Sequence, residues 1–138
     1  MKQIQNVKNY LTEAGIKPSY QRIKIFEYLI ENMNHPTVDM IYKDLVPYIP
    51  TLSKTTVYNT LKFFVDKGIT QIINIEDNET RYDADTSTHG HFKCIKCGNI
   101  YDFSFDNKNL NIKQIENFEI KQIHLYIKGI CENCKNKK

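Results

Sequence analysis

Apolar positions recur at helical spacing through the first 67 residues and then switch to alternation. Ile4, Val7, Leu11 and Ala14 form a first stripe, closed by Gly15. Ile23, Phe26, Leu29 and Ile30 form a second, with Ser19 placed as its N-cap. Thr37 caps a third helix whose apolar face is Val38, Ile41 and Leu45, with Tyr42 beside it, and Pro47 and Pro50 enclose the loop that follows. Ser53 opens a fourth helix carrying Val57, Leu61, Phe64 and Val65, and Gly68 stops it. Beyond Gly68 the pattern is that of strands: Ile69 to Ile75, a turn at Glu76 to Glu79, and a return over Thr80 to Ala84. Helices followed by a β-hairpin predict a winged helix-turn-helix. Residues 85–90 read as a hinge. Strands are then expected over His91 to Ile95, Ile100 to Phe105 and Ile120 to Ile130, with a short helix around Lys108 to Asn117. The expected fold is α+β: a winged helix-turn-helix domain over 1–84, a hinge over 85–90, and a small α/β dimerisation domain over 91–138.

Charge sharpens this division. Of 19 Lys and Arg, nine fall in residues 1–70 against six Asp and Glu, whereas residues 71–138 balance at ten of each. All four cysteines and three of the four histidines lie in the second half. The excess of positive charge sits on the helical half, where a nucleic-acid-binding architecture gives it meaning. No apolar stretch approaches the ~20 residues of a membrane span, and the first residues lack a secretory pattern. A cytoplasmic protein is therefore expected, in which paired cysteines hold a metal more often than they form disulfides.

Cys94-Ile95-Lys96-Cys97 and Cys131-Glu132-Asn133-Cys134 are two C-x-x-C pairs. This spacing lets two thiolates from one tight turn reach the same ion, and two pairs complete a tetrahedral S4 site. Four protein ligands leave no position for substrate, so the expected zinc is structural. A redox dithiol needs only one such pair. His89 and His91 project to one side of an extended chain, with Asp83 and Asp85 upstream and Asp102 on the next strand. Imidazole and carboxylate without thiolate suit Fe(II), Mn(II) or Zn(II). On spacing alone a second metal site and a set of solvated polar residues both remain open.

Taken together, Gln21-Arg22, His35-Pro36-Thr37, Ser53 to Leu61 (SKTTVYNTL), Arg81-Tyr82-Asp83, His89-Gly90-His91 and the two cysteine pairs resemble the ferric uptake regulator (Fur) family of metal-dependent repressors, over nearly the whole chain. The resemblance implies a regulatory ion held by His35, Asp83, His89, His91 and Asp102. It also implies an interdomain angle fixed by that ion, a homodimer formed through the second domain, and a palindromic double-stranded DNA operator. Asp102 in place of the glutamate usual in iron sensors, and Ile123 in place of a histidine, point to the peroxide-sensing branch. In that branch Fe(II) meeting peroxide oxidises a ligand histidine, here His35 or His89, and the DNA is released; Mn(II) supports repression without that sensitivity. The alternative within the family is an iron- or zinc-responsive repressor. Helix four would read DNA through Lys54, Thr55, Thr56, Tyr58 and Asn59, with Lys62 and Arg22 on phosphates. A zinc hydrolase is the rival from another class, but its general base would have to be Glu76 or Glu79, which read as turn residues, so no enzyme is expected.

Overall fold

The computed structural model describes residues 6–32, 35–73, 79–87, 89–106, 111–120 and 123–136. The chain divides into two compact units, Met1–Thr86 and Ser87–Lys138.

The first unit contains α1 (Val7–Glu13), α2 (Tyr20–Glu31), α3 (Val38–Leu45), α4 (Lys54–Asp66), β1 (Gln71–Ile73) and β2 (Arg81–Asp83). Each helix starts where a side chain accepts a hydrogen bond from an otherwise orphaned backbone N–H. Asn6 accepts from Asn9, Ser19 from Arg22, Thr37 from Met40 and Ser53 from Thr56. The Asn6 cap lies beyond the sequence reading, and Ile4 falls outside the described residues. Helices α1 and α4 close on Gly15 and Gly68, both in the left-handed region (φ 83 and 78), which only glycine enters freely. The amides of Ile16 and Ile69 then reach back to the carbonyls of Leu11 and Phe64, all four residues being buried.

The apolar stripes meet in one core. Leu11, Ile25, Phe26, Leu29, Ile41, Val57, Leu61 and Phe64 are buried there, and Phe26 meets Phe64 edge-on with centroids 5.4 Å apart. Ile25 and Tyr28 on α2 are buried too, while the expected Ile23 and Ile30 are only partly covered. The stripe is wider than its strongest repeat, because α2 packs within one cluster between its neighbours. Strands β1 and β2 pair antiparallel with Gln71 opposite Asp83, forming the wing. The turn expected at Glu76 to Glu79 lies mostly outside the described residues.

The second unit is built on β3 (Gly90–Cys94), flanked by β4 (Ile100–Phe103), antiparallel, and by β5 (Tyr126–Gly129), parallel. Strand β4 ends at Phe103 rather than at the expected Phe105, and two further elements differ from expectation. Of the helix expected around Lys108 to Asn117, residues 108–110 lie outside the described residues, and the remainder holds one 3-10 turn at Lys113–Ile115; the asparagines at 111 and 117 favour local side-chain hydrogen bonds over a helical ladder. Of the strand expected over Ile120 to Ile130, residues 121–122 lie outside the described residues, and the described part pairs over four residues, Tyr126–Gly129, against His91 to Cys94 of β3 before the chain turns into α5 (Glu132–Asn136). Among the described residues no helix is long and apolar enough to cross a membrane.

Candidate metal centres

The two cysteine pairs arrive on different elements. Cys94 ends β3 and Cys97 lies in the turn after it, whereas Cys131 precedes α5 and Cys134 lies on it. Their four sulfur atoms lie within 4.8 Å of one another. Cys97 and Cys131 are 3.8 Å apart between sulfurs, far beyond the ~2.05 Å of a disulfide. A tetrahedral ion with Zn–S bonds of ~2.3 Å sets its sulfurs about 3.8 Å apart, so the cradle fits zinc. Cys94 sulfur faces the backbone amides of Cys131 and Cys97 at 3.4 and 3.5 Å. These amides, Cys131 first, pull its thiol down to about 6. A hydrogen bond from the Tyr101 hydroxyl is the main reason Cys131 also titrates below its ordinary range. The bond to Cys131, and then burial, push Cys134 up to about 12.

Cys94 is therefore mostly thiolate at neutral pH before any metal binds, because its pKa lies below that pH. Zinc uptake by metal-free protein is expected to release about three protons or fewer rather than four, since each ligand not yet ionised must lose one. Calorimetry in buffers of differing ionisation enthalpy checks this, and a release of four would show that the thiolate is not preformed.

The sequence-derived imidazoles and carboxylates fall in both units. In the first, His35 Nε2 lies 3.6 Å from Asp83 Oδ2, with both residues buried. His35 adopts φ 56, a left-handed conformation that histidine enters more often than most side chains but still at a cost. Two contacts from β2 hold it there: Arg81 donates to the His35 carbonyl at 3.0 Å, and the Tyr82 amide donates to Pro36. The other Asp83 oxygen accepts from the Asp85 amide at 2.9 Å.

In the second unit His89 and His91 share one face, ring centroids 4.5 Å apart. Asp102 lies directly across from His91 on β4. Its two oxygens approach His89 Nε2 at 3.7 Å and His91 Nε2 at 3.5 Å. Gly90 between them has a packing reason, since a Cβ there would stand 2.3 Å from the Phe103 ring. His124 is exposed, its ring 6.2 Å from Tyr126. In the sequence Arg81 stands out only within the Arg81-Tyr82-Asp83 motif, and Tyr101 and Tyr126 carry no signal beyond a place in an alternating strand.

On α4, Lys54, Thr55, Tyr58, Asn59 and Lys62 are exposed and Thr56 is half-buried. Lys54 pairs with Asp39 of α3 at 3.1 Å. Arg22 donates to the Lys17 carbonyl at 2.9 Å and lies 5.0 Å over Phe63.

A winged helix-turn-helix in one unit, and in the other a sheet carrying a four-thiol cradle and an imidazole–carboxylate group, define a metal-responsive regulator. The chain belongs to the ferric uptake regulator family, whose profile matches residues 13–128. Over 128 residues it is 37% identical to the peroxide-responsive repressor PerR of Staphylococcus epidermidis, covering 91% of this chain and 85% of that one. Among solved structures it resembles PerR from Streptococcus pyogenes, described for peroxide sensing and gene regulation (35% identity, TM-score 0.54, 94% and 91% of the two chains). It also resembles the Vibrio cholerae ferric uptake regulator (28% identity, TM-score 0.75, 91% and 100%).

Proposed function

We propose that this protein is a cytoplasmic, homodimeric, metal-dependent transcriptional repressor that responds to peroxide. The observation that carries the reading is Asp102 set between His89 and His91, a thiolate-free donor group suited to Fe(II) or Mn(II). The peroxide-responsive relatives favour this over a plain iron or zinc response. His35 and Asp83, already adjacent to each other, complete the proposed ligand set; donor chemistry and the family pattern support their inclusion. Cys94, Cys97, Cys131 and Cys134 are the proposed zinc ligands. No catalytic residue is assigned.

Each residue has a definite task in this reading. Asp102 neutralises charge at two imidazoles at once. Arg81 fixes the His35 carbonyl and so holds its ring toward Asp83. His35, Asp83, His89, His91 and Asp102 would hold Fe(II), which would supply the reducing chemistry that activates peroxide, with His35 or His89 as the side chain that would be oxidised. Loss of a ligand lowers metal affinity, and with it the population of the DNA-binding state. Lys54, Thr55, Thr56, Tyr58 and Asn59 of α4 are proposed to enter the major groove, and Lys62 and Arg22 to reach phosphates. A two-fold dimer fits a palindromic operator.

The test compares Fe(II)- and Mn(II)-loaded protein on its operator before and after mild peroxide. The Fe(II) form is expected to release DNA and gain one oxygen on a histidine, and the Mn(II) form to stay bound. Retention by both forms would refute the peroxide response.

A further inference from the structure

We propose that Tyr126 is an oxidation site in its own right, giving up an electron and a proton to peroxide-derived oxidant in competition with oxygen addition to a ligand histidine. The inference rests on Fe(II) being held beside His89, His91 and Asp102, as proposed above.

The second unit carries a row of four rings. His89 and His91 are 4.5 Å apart between centroids, Tyr126 lies 5.8 Å beyond His91, and His124 a further 6.2 Å beyond Tyr126. The row starts at two imidazoles served by Asp102 and ends at an exposed histidine. Backbone pairing fixes its centre: Tyr126 is the β5 residue directly opposite His91, and the His91 amide donates to the Leu125 carbonyl at 3.0 Å. Tyr126 is half-buried, so its ring is held rather than free to swing. A phenol that releases its proton with the electron is easier to oxidise by one electron than an imidazole. The sheet thus places the more oxidisable ring in contact with a proposed ligand.

The step balances without a further reagent. Fe(II) gives one electron, and the Tyr126 O–H bond gives a second together with its proton. The peroxide O–O bond breaks, one oxygen leaving as hydroxide and the other as water. Fe(III) and a Tyr126 phenoxyl radical remain, and the histidine ligands keep their original composition. Tyr126 is then a second sink for oxidant, setting how much peroxide is needed before a ligand is damaged.

The test uses full-length Fe(II)-loaded protein, wild type and Tyr126→Phe, mixed with peroxide and freeze-quenched. Electron paramagnetic resonance reads the radical, and peptide mass spectrometry reads oxygen on each histidine. Phenylalanine keeps the ring and its stacking but has no O–H bond to give. The expected result is a phenoxyl signal in the wild type that Tyr126→Phe abolishes, together with a rise in histidine oxygen addition per peroxide in the variant. Equal histidine oxidation in both proteins, or a phenoxyl signal that survives in Tyr126→Phe, overturns the inference and leaves the peroxide response standing. Absence of both radical and added oxygen in the wild type overturns the two together.

Discussion

Replacing Cys131 with serine is expected to unfold the second unit while the first stays folded. Among the described residues, the buried cluster of that unit is Cys94, Cys131 and Cys134 with Phe92 packed against them. Ile95, Phe118, Ile120, Ile127 and Ile130 are exposed, so little apolar burial stands in reserve. Among the described residues, these thiols and the ion they would hold are what the sheet folds around. Structural zinc in zinc-finger peptides has an apparent binding free energy of about 10–16 kcal/mol, comparable to the ~5–15 kcal/mol stability of a whole domain. The first unit has its own core, from Leu11 to Phe64, and should melt separately. Zinc content, together with amide hydrogen exchange resolved along the chain, measures the outcome. Protection of β3 to β5 surviving in zinc-free Cys131→Ser would show that the sheet stands without the metal.

Asp102→Ala should abolish metal-dependent operator binding at much smaller cost in stability. One carboxylate serves both imidazoles, at 3.7 and 3.5 Å, so its loss weakens two proposed ligands as well as removing itself. Partners of metal-ligating histidines are typically worth about 10–100-fold in metal affinity, and a direct ligand is expected to exceed that range. The side chain is 35% exposed, which argues against a large effect on folding. Mn(II) titrations followed by fluorescence anisotropy on labelled operator, beside thermal melts, separate the two effects. Operator binding at wild-type Mn(II) concentrations would remove Asp102 from the ligand set.

The four helices were legible because their signals are local. Ser19, Thr37 and Ser53 each sit directly before an apolar stripe, and each forms the cap it suggests. The thiol cradle was legible for the same reason, since each C-x-x-C pair is a turn-sized unit. The strand lengths of the second unit were not, because how far Ile120 to Ile130 pairs depends on the reach of β3, more than twenty residues away in sequence. The left-handed His35 was equally hidden: its conformation is held by Arg81 and Tyr82, from the far side of α3 and α4. Tyr101 and Tyr126 read as alternating strand residues, and only cross-strand neighbours give them chemistry.

The parallel pairing of β3 with β5 also has a consequence for how the molecule is made. Thirty-three residues separate Cys97 from Cys131, and at ribosomal rates of ~5–20 residues per second they take roughly 2–7 s to emerge. Through that interval the nascent polypeptide carries a bare dithiol with neither its second cysteine pair nor its third strand. Biosynthesis, rather than the finished repressor, is then the stage at which these thiols are most open to oxidative damage.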